Sequence, residues 1–178
     1  MSQIVSMKNM WKTFDGLHDI NIPNWIKTHS KEGQDIIIGT DSQQVGNQFT
    51  EFATVIVIER SISSNRAVVA QRKWRVPRIN QLRQRLLEET LASIETAIEI
   101  TKPEDFTEED ITNDNIIGFG GPCEGRQIKI HIDANQNIEF KSASWSQQLV
   151  GLVVGSGYDC ALKPHAWASS SVADRLIK

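Results

Sequence analysis

Three aspartates of this chain stand where a carboxylate is expensive to keep. Asp41 closes the apolar run Asp35-Ile-Ile-Ile-Gly-Thr-Asp41, Asp133 closes the alternating run Ile128-Lys-Ile-His-Ile-Asp133, and Asp174 lies in an alanine- and serine-rich stretch. Beside such neighbours an ionised carboxylate is destabilising unless it is hydrogen-bonded, ion-paired or bound to metal. Strand ends are also where sheets present groups to ligands. Two divalent ions about 3.5–4 Å apart would satisfy several carboxylates at once. The competing reading is structural, with strand-end turns at Asp41 and Asp133 and a surface helix position at Asp174.

Polar neighbours accompany these acids. His131 and His165 are candidates for proton transfer or phosphate contact, although His131 shares a strand face with Asp133 and a simple hydrogen bond there is the favoured expectation. Lys163 and Arg175 are candidates to offset charge near the acids. Ser42 and Asn135 are placed to tune them by hydrogen bonds, with turn or cap formation as the alternative. Charge is uneven along the chain. Residues 60–85 hold eight Lys or Arg and no acid, whereas 88–114 hold ten acids and one lysine, two blocks that the net charge of −3 conceals. Within the basic block Arg72, Lys73, Arg75 and Arg78 surround Trp74. Guanidinium forks on phosphates and a ring on a base would suit a nucleic-acid strand, and a solvated charged face is the plain alternative.

The elements that must position these residues follow from periodicity. Residues 35–41 form a continuous apolar run, as in a strand buried on both faces. After a turn at Gly46-Asn47, residues 52–58 and 66–76 read as two further strands of an antiparallel meander. Residues 81–100 carry Leu87, Leu91, Ile94 and Ile98 at helical spacing after Pro77. The alternation at 128–133 puts Ile128, Ile130 and Ile132 on one face and Lys129, His131 and Asp133 on the other. Helix 144–155, strand 158–163 and helix 165–178 complete the order β-β-β-α-β-α-β-α. Before them, residues 1–34 form a leader with one short helix, capped by Asn21 with Pro23 in its first turn. Between them, residues 101–126 are acidic, with a capped turn expected at Thr107-Glu-Glu-Asp and a brief strand after it. The acidic loop 101–114 is a candidate screen for the site or contact for another protein. Three meander strands followed by βα alternation give a mixed sheet with helices on its faces.

The chain's 178 residues, 39% of them hydrophobic and 23% charged, suit a single globular domain and exclude disordered and collagen-like classes. Only Cys123 and Cys160 are present, in no metal-ligand spacing, so neither a disulfide scaffold nor a structural zinc site is expected. No apolar run reaches membrane-spanning length and the first residues lack the build of a signal peptide, so the expected location is the cytoplasm, with no membrane partner. Trp145 and Trp167 are expected in packing rather than as base-stacking platforms.

The segments Gly39-Thr-Asp-Ser-Gln43, Ile130-His-Ile-Asp-Ala-Asn135 and Lys163-Pro-His-Ala-Trp-Ala-Ser-Ser-Ser-Val-Ala-Asp-Arg175, with the helix Arg85–Glu95, resemble the YkuK-type RNase H-like family. The resemblance covers residues 35–178, which it implies are an RNase H-like domain, α/β in class, with a five-stranded mixed sheet of order 3-2-1-4-5 and helices on both faces. Residues 1–34 would be a leader packed on it. The resemblance also implies a metal-dependent nuclease that hydrolyses DNA or RNA through two magnesium or manganese ions. Asp41 takes its first-strand position and bridges both ions, Asp133 the fourth-strand position and Asp174 the closing-helix position. A helix glutamate completes the set. The apolar residues Leu82, Leu86, Leu87, Leu91, Ile94 and Ala97 define the buried face, and Glu89 lies nearer its edge than Glu88 or Glu95, so Glu89 is the expected ligand. The alternative is a non-catalytic nucleic-acid-binding module on the same fold, and a scaffold without nucleic-acid affinity is a more distant one.

Overall fold

Alternating and continuous apolar runs give this chain a sheet whose two faces bury different residues. The computed structural model describes residues 10–59, 67–102, 123, 125–135 and 143–178. The long strands are β3 (Asp35–Val45), β4 (Phe49–Glu59), β5 (Ala67–Pro77), β6 (Gln127–Asn135) and β7 (Asp159–Lys163). Two short ones precede them, β1 (Trp11–Thr13) and β2 (Asp19–Ile20). The helices are α1 (Ile22–His29), α2 (Leu82–Thr101), α3 (Ala143–Gly155) and α4 (Asp174–Ile177), with a π-helical segment, Ala168–Ala173, leading into α4.

All seven strands join one sheet in the order β2-β1-β5-β4-β3-β6-β7. The last five reproduce the expected 3-2-1-4-5 arrangement: β4 and β5 are antiparallel to their neighbours, and β6 and β7 run parallel to β3. The expected count of five is corrected to seven, because β1 pairs with the outer edge of β5 and β2 with β1. Strands of three and two residues are too short to show an alternation in sequence. Asn21 caps α1 as expected, its side chain accepting from Asn24 N at 3.1 Å.

Side-chain alternation divides the core. Ile36, Ile38, Ile56, Ile58, Ala70, Ile128, Ile130 and Ile132 face α1, α2 and α3, whereas Ile37, Val55 and Val57 face Ala168 and Ala173. Helical cover on both faces agrees with the expectation. Three details depart from it. Asp41 does not end its strand, since β3 continues to Val45 and pairs with β4 throughout before turning at Gly46, whose φ is +58°. The buried face of α2 is partly polar, with Thr90, Ser93 and Thr96 inside beside the expected Leu86, Ile94 and Ala97, while Leu87 and Ile98 are exposed. Each of those hydroxyls bonds the carbonyl one turn back (Leu86, Glu89 and Ala92), which hides its polarity and lets α2 approach the sheet closely. The last helix is not a single α-helix from 165. It begins as a π-helical segment whose backbone crosses β3 at Gly39, where a Cβ would lie 2.5 Å from Ser169 N. Residues 103–122 of the acidic stretch, where its turn and strand are expected, lie outside the described residues together with Arg60 and Arg66.

Candidate active site

The parallel pairing of β3 with β6 ends at Gly39 opposite His131, and Asp41 and Asp133 each stand two residues further on. By alternation both belong to the face covered by the π-helical segment and α4. At Asp133 the β6–β7 register shifts: Leu162 pairs with Ile132, but Lys163 pairs with Asn135. Such a bulge re-aims side chains at functional sites. Here it accompanies an ion pair between Lys163 Nζ and Asp133 Oδ1 at 2.6 Å. Asp174 opens α4 on the same face and pairs with Lys178 one turn later.

Glu89 arrives from the other face, through α2. It is buried, and its Oε1 accepts from Ser42 Oγ at 2.5 Å. The neighbouring contacts explain why α2 holds it there. Thr40 Oγ1 shares hydrogen bonds with Thr54 Oγ1 at 2.9 Å and Ser93 Oγ at 2.8 Å, tying the helix to β3 and β4. Ser42 also donates its N–H to Asp41 Oδ1 at 2.8 Å, so one residue orients two acids. Glu88 and Glu95 are exposed and line a separate cleft of about 270 Å³ with Phe52, Trp74 and Leu91.

Asp41 and Glu89 respond to the other acids. The Asp41 carboxyl is pushed up to about 7, first by burial and then by the charges of Asp133 and Asp174, against the Ser42 N–H and Lys163. Glu89 is raised well above the ordinary carboxylate range by burial and by Asp41, with Ser42 and Arg85 acting in the opposite direction. Glu89 Oε2 has no hydrogen-bond partner among the described residues. A buried acceptor without a partner calls for a cation or water. An all-carboxylate donor set suits a hard divalent ion such as Mg²⁺ or Mn²⁺, so the residues fit such an ion in kind. Among the described residues, no three His, Cys, Asp or Glu side chains converge closely enough to hold one as they stand. Asp133 and Asp174 are paired with lysines instead, although Asp133 Oδ1, like Glu89 Oε2, accepts no hydrogen bond among the described residues.

The supporting residues divide. His131 is buried, its Nδ1 accepts from Ala168 N at 3.1 Å, and its ring meets Trp167 edge-on. Burial, with Lys129, lowers its pKa to about 4. It holds the π-helical segment through Ala168, a different hydrogen bond from the one expected beside Asp133. His165 is exposed, and Asn135 is half-buried at the end of β6. Lys163, one of the two expected counter-charges, is in contact with an acid, whereas Arg175 is exposed. Sequence reasoning missed Arg85, whose Nη1 donates to Ser42 O at 3.3 Å, and Lys178. Their spacing of four residues from Glu89 and Asp174 was the available signal.

The basic cluster is corrected in part. Arg72 is buried and directed at α2, bonding Glu99 at 2.9 Å and Thr96 at 2.7 Å and lying 4.6 Å over the Trp11 ring, so it offers nothing to a nucleic-acid strand. Trp74 is stacked on Phe52 within the core. Strand alternation explains both: 72 and 74 face α2, and 73 and 75 face the opposite side, where Lys73 Nζ donates to Leu176 O of α4 at 2.6 Å. Arg78 clamps the β3–β4 hairpin through Gly46 O and Gln44 Oε1. Lys73 and Arg75 are exposed beside Glu51, on the sheet face that carries Asp41. The register Asp41–Ala53–Lys73 places Lys73 two strands from Asp41, roughly 10 Å away.

A mixed sheet of this order with helices on both faces is consistent with a ribonuclease H-like fold. The chain belongs to that family: the model described as Ribonuclease H-like matches residues 20–178. The chain is 29% identical over 141 residues to the uncharacterized protein YkuK of Bacillus subtilis (strain 168), an overlap that covers 79% of this chain and 77% of that one. No solved structure gives a significant match.

Proposed function

We propose that this protein is a divalent-cation-dependent nuclease that hydrolyses phosphodiester bonds in DNA or RNA at Asp41, Glu89, Asp133 and Asp174. The observation that carries the reading is the charge gathered on Asp41, whose carboxyl is pushed up to about 7 by burial and by Asp133 and Asp174, while Glu89 Oε2 stays without a partner. Carboxylates of β3, α2, β6 and α4 whose charges meet at Asp41 oppose folding unless a cation offsets them, and binding sites retain such cost more readily than scaffolds do. A bound divalent ion would lower the pKa of a water and offset charge on the phosphate. The chain's own residues prepare the rest. Asp41 is central, Ser42 fixes both Asp41 and Glu89, and Lys73 and Arg75 form an outward rim for backbone phosphates on Asp41's face.

One observation favours the second reading, a nucleic-acid-binding module without catalysis: Asp133 and Asp174 are paired with lysines. A panel of labelled single strands, duplexes, RNA–DNA hybrids and four-way junctions, titrated with Mg²⁺ and Mn²⁺, separates the two. The nuclease reading expects cleavage by the parental protein that Asp41→Asn abolishes. Salt-sensitive binding with no product in either metal would favour the module.

A further inference from the structure

Three cations are built into the carboxylate centre, and they are not equivalent. Lys178 pairs with Asp174 through a side chain that is 68% exposed, so solvent and salt compete readily for it. Arg85 stands one turn before Glu89 and donates to Ser42 O. Lys163 is delivered by the sheet itself. It pairs in register with Asn135 directly after the bulge that contains Asp133, and its Nζ lies 2.6 Å from Asp133 Oδ1, with the two side chains 38% and 19% exposed. Its charge also acts on Asp41. Asp41 and Glu89 are the two acids of the set with no lysine against them among the described residues.

We infer that Lys163 serves as a resident cation in the place of one divalent ion, so that the chain binds one divalent ion where the family resemblance implies two. The inference rests on the nuclease reading of this same centre. Two arguments carry it. An ammonium 2.6 Å from Asp133 Oδ1 and a divalent ion held by the same carboxylate would be close neighbours of like charge, in a region with partial access to water. Charge points the same way: three cations, Lys163, Lys178 and Arg85, already stand at the four carboxylates, so a second divalent ion would add a larger excess of positive charge to the half-buried site than the first.

The test counts Mn²⁺ bound to the full chain, by titration calorimetry and by the electron paramagnetic resonance signal of free Mn²⁺. One ion per parental chain is expected, rising to two in Lys163→Met and remaining one in Lys163→Arg and in Lys178→Met. Two ions on the parental chain overturn the inference, as does a count that stays at one in folded Lys163→Met or rises to two in Lys178→Met. Should Lys163→Met fail to fold, the counts for the parental chain and Lys163→Arg decide. Two ions with cleavage intact defeat this inference alone, while no bound Mn²⁺ and no cleavage defeat the nuclease reading with it.

Discussion

Burial gives Asp41 a measurable signature that does not depend on any substrate. Its carboxyl moves from an ordinary 3.8 to about 7 in the folded chain. Between those values the folded state binds more protons than the unfolded state, so this group's contribution to stability is greatest at acid pH and is lost as pH rises through 7. His131 acts in the opposite sense, since a histidine lowered to about 4 is destabilising as pH falls below its ordinary 6.5. Comparing parental protein with Asp41→Asn in metal-free buffer cancels the histidine and isolates the aspartate. Asp41→Asn is expected to gain roughly 2–4 kcal/mol at pH 8, read as a higher urea midpoint, with the advantage shrinking toward pH 4. A variant no more stable than its parent at pH 8 would contradict the burial described for this carboxyl. At this scale the acids were legible because each sits beside an apolar run, and Glu89 stood apart from Glu88 by its place on the helix. Ser42 was legible only as a candidate, since nothing in a sequence fixes which acid a hydroxyl reaches.

Among the elements, the hairpin β3–β4, the helix α2 and the alternation of β6 could be read from periodicity, because each runs long enough to repeat its pattern. The π-helical segment could not. Its widened turn goes with the close crossing over Gly39, a tertiary contact invisible to local spacing. That contact makes Gly39→Ala informative. Its new Cβ would meet Ser169 N at 2.5 Å and Ala168 C at 2.7 Å, backbone atoms with little freedom to yield. Overpacking of this kind costs about 1–3 kcal/mol. The expected result is a lower thermal midpoint with altered Trp167 fluorescence, since Trp167 precedes the displaced segment and packs beside it. An unchanged midpoint and emission would mean that the segment adjusts without strain. The buried face of α2 gave a similar lesson: counting apolar residues placed Leu86, Ile94 and Ala97 inside correctly and Leu87 wrongly, and Thr90, Ser93 and Thr96 share the inner face because small hydroxyls can bond their own helix.

Across the whole molecule, the described residues of the basic block take separate tasks once strand alternation is imposed. Arg72 holds β5, β1 and α2 together through Glu99, Thr96 and the Trp11 ring, while Arg75 faces outward beside Glu51. The block's charge was legible, but its division was not, because the face assigned to Arg72 depends on where α2 packs. Arg75→Ala is expected to keep the thermal midpoint and to reduce the salt dependence of nucleic-acid binding by about one counterion. Arg72→Ala is expected to lower the midpoint. The reverse pattern would mean that the inner and outer faces of β5 have been misassigned. The central claim is that acids from both faces of the sheet form one cleaving centre, and adjacent glutamates on α2 test it most directly. The measurement is the initial cleavage rate in saturating Mg²⁺ or Mn²⁺ for parental protein, Glu89→Gln and Glu88→Gln. Glu89→Gln keeps the side chain's size and an oxygen for Ser42, yet it is expected to lose about 10²-fold or more in rate while Glu88→Gln stays near parental. Equal rates for all three proteins would contradict the account.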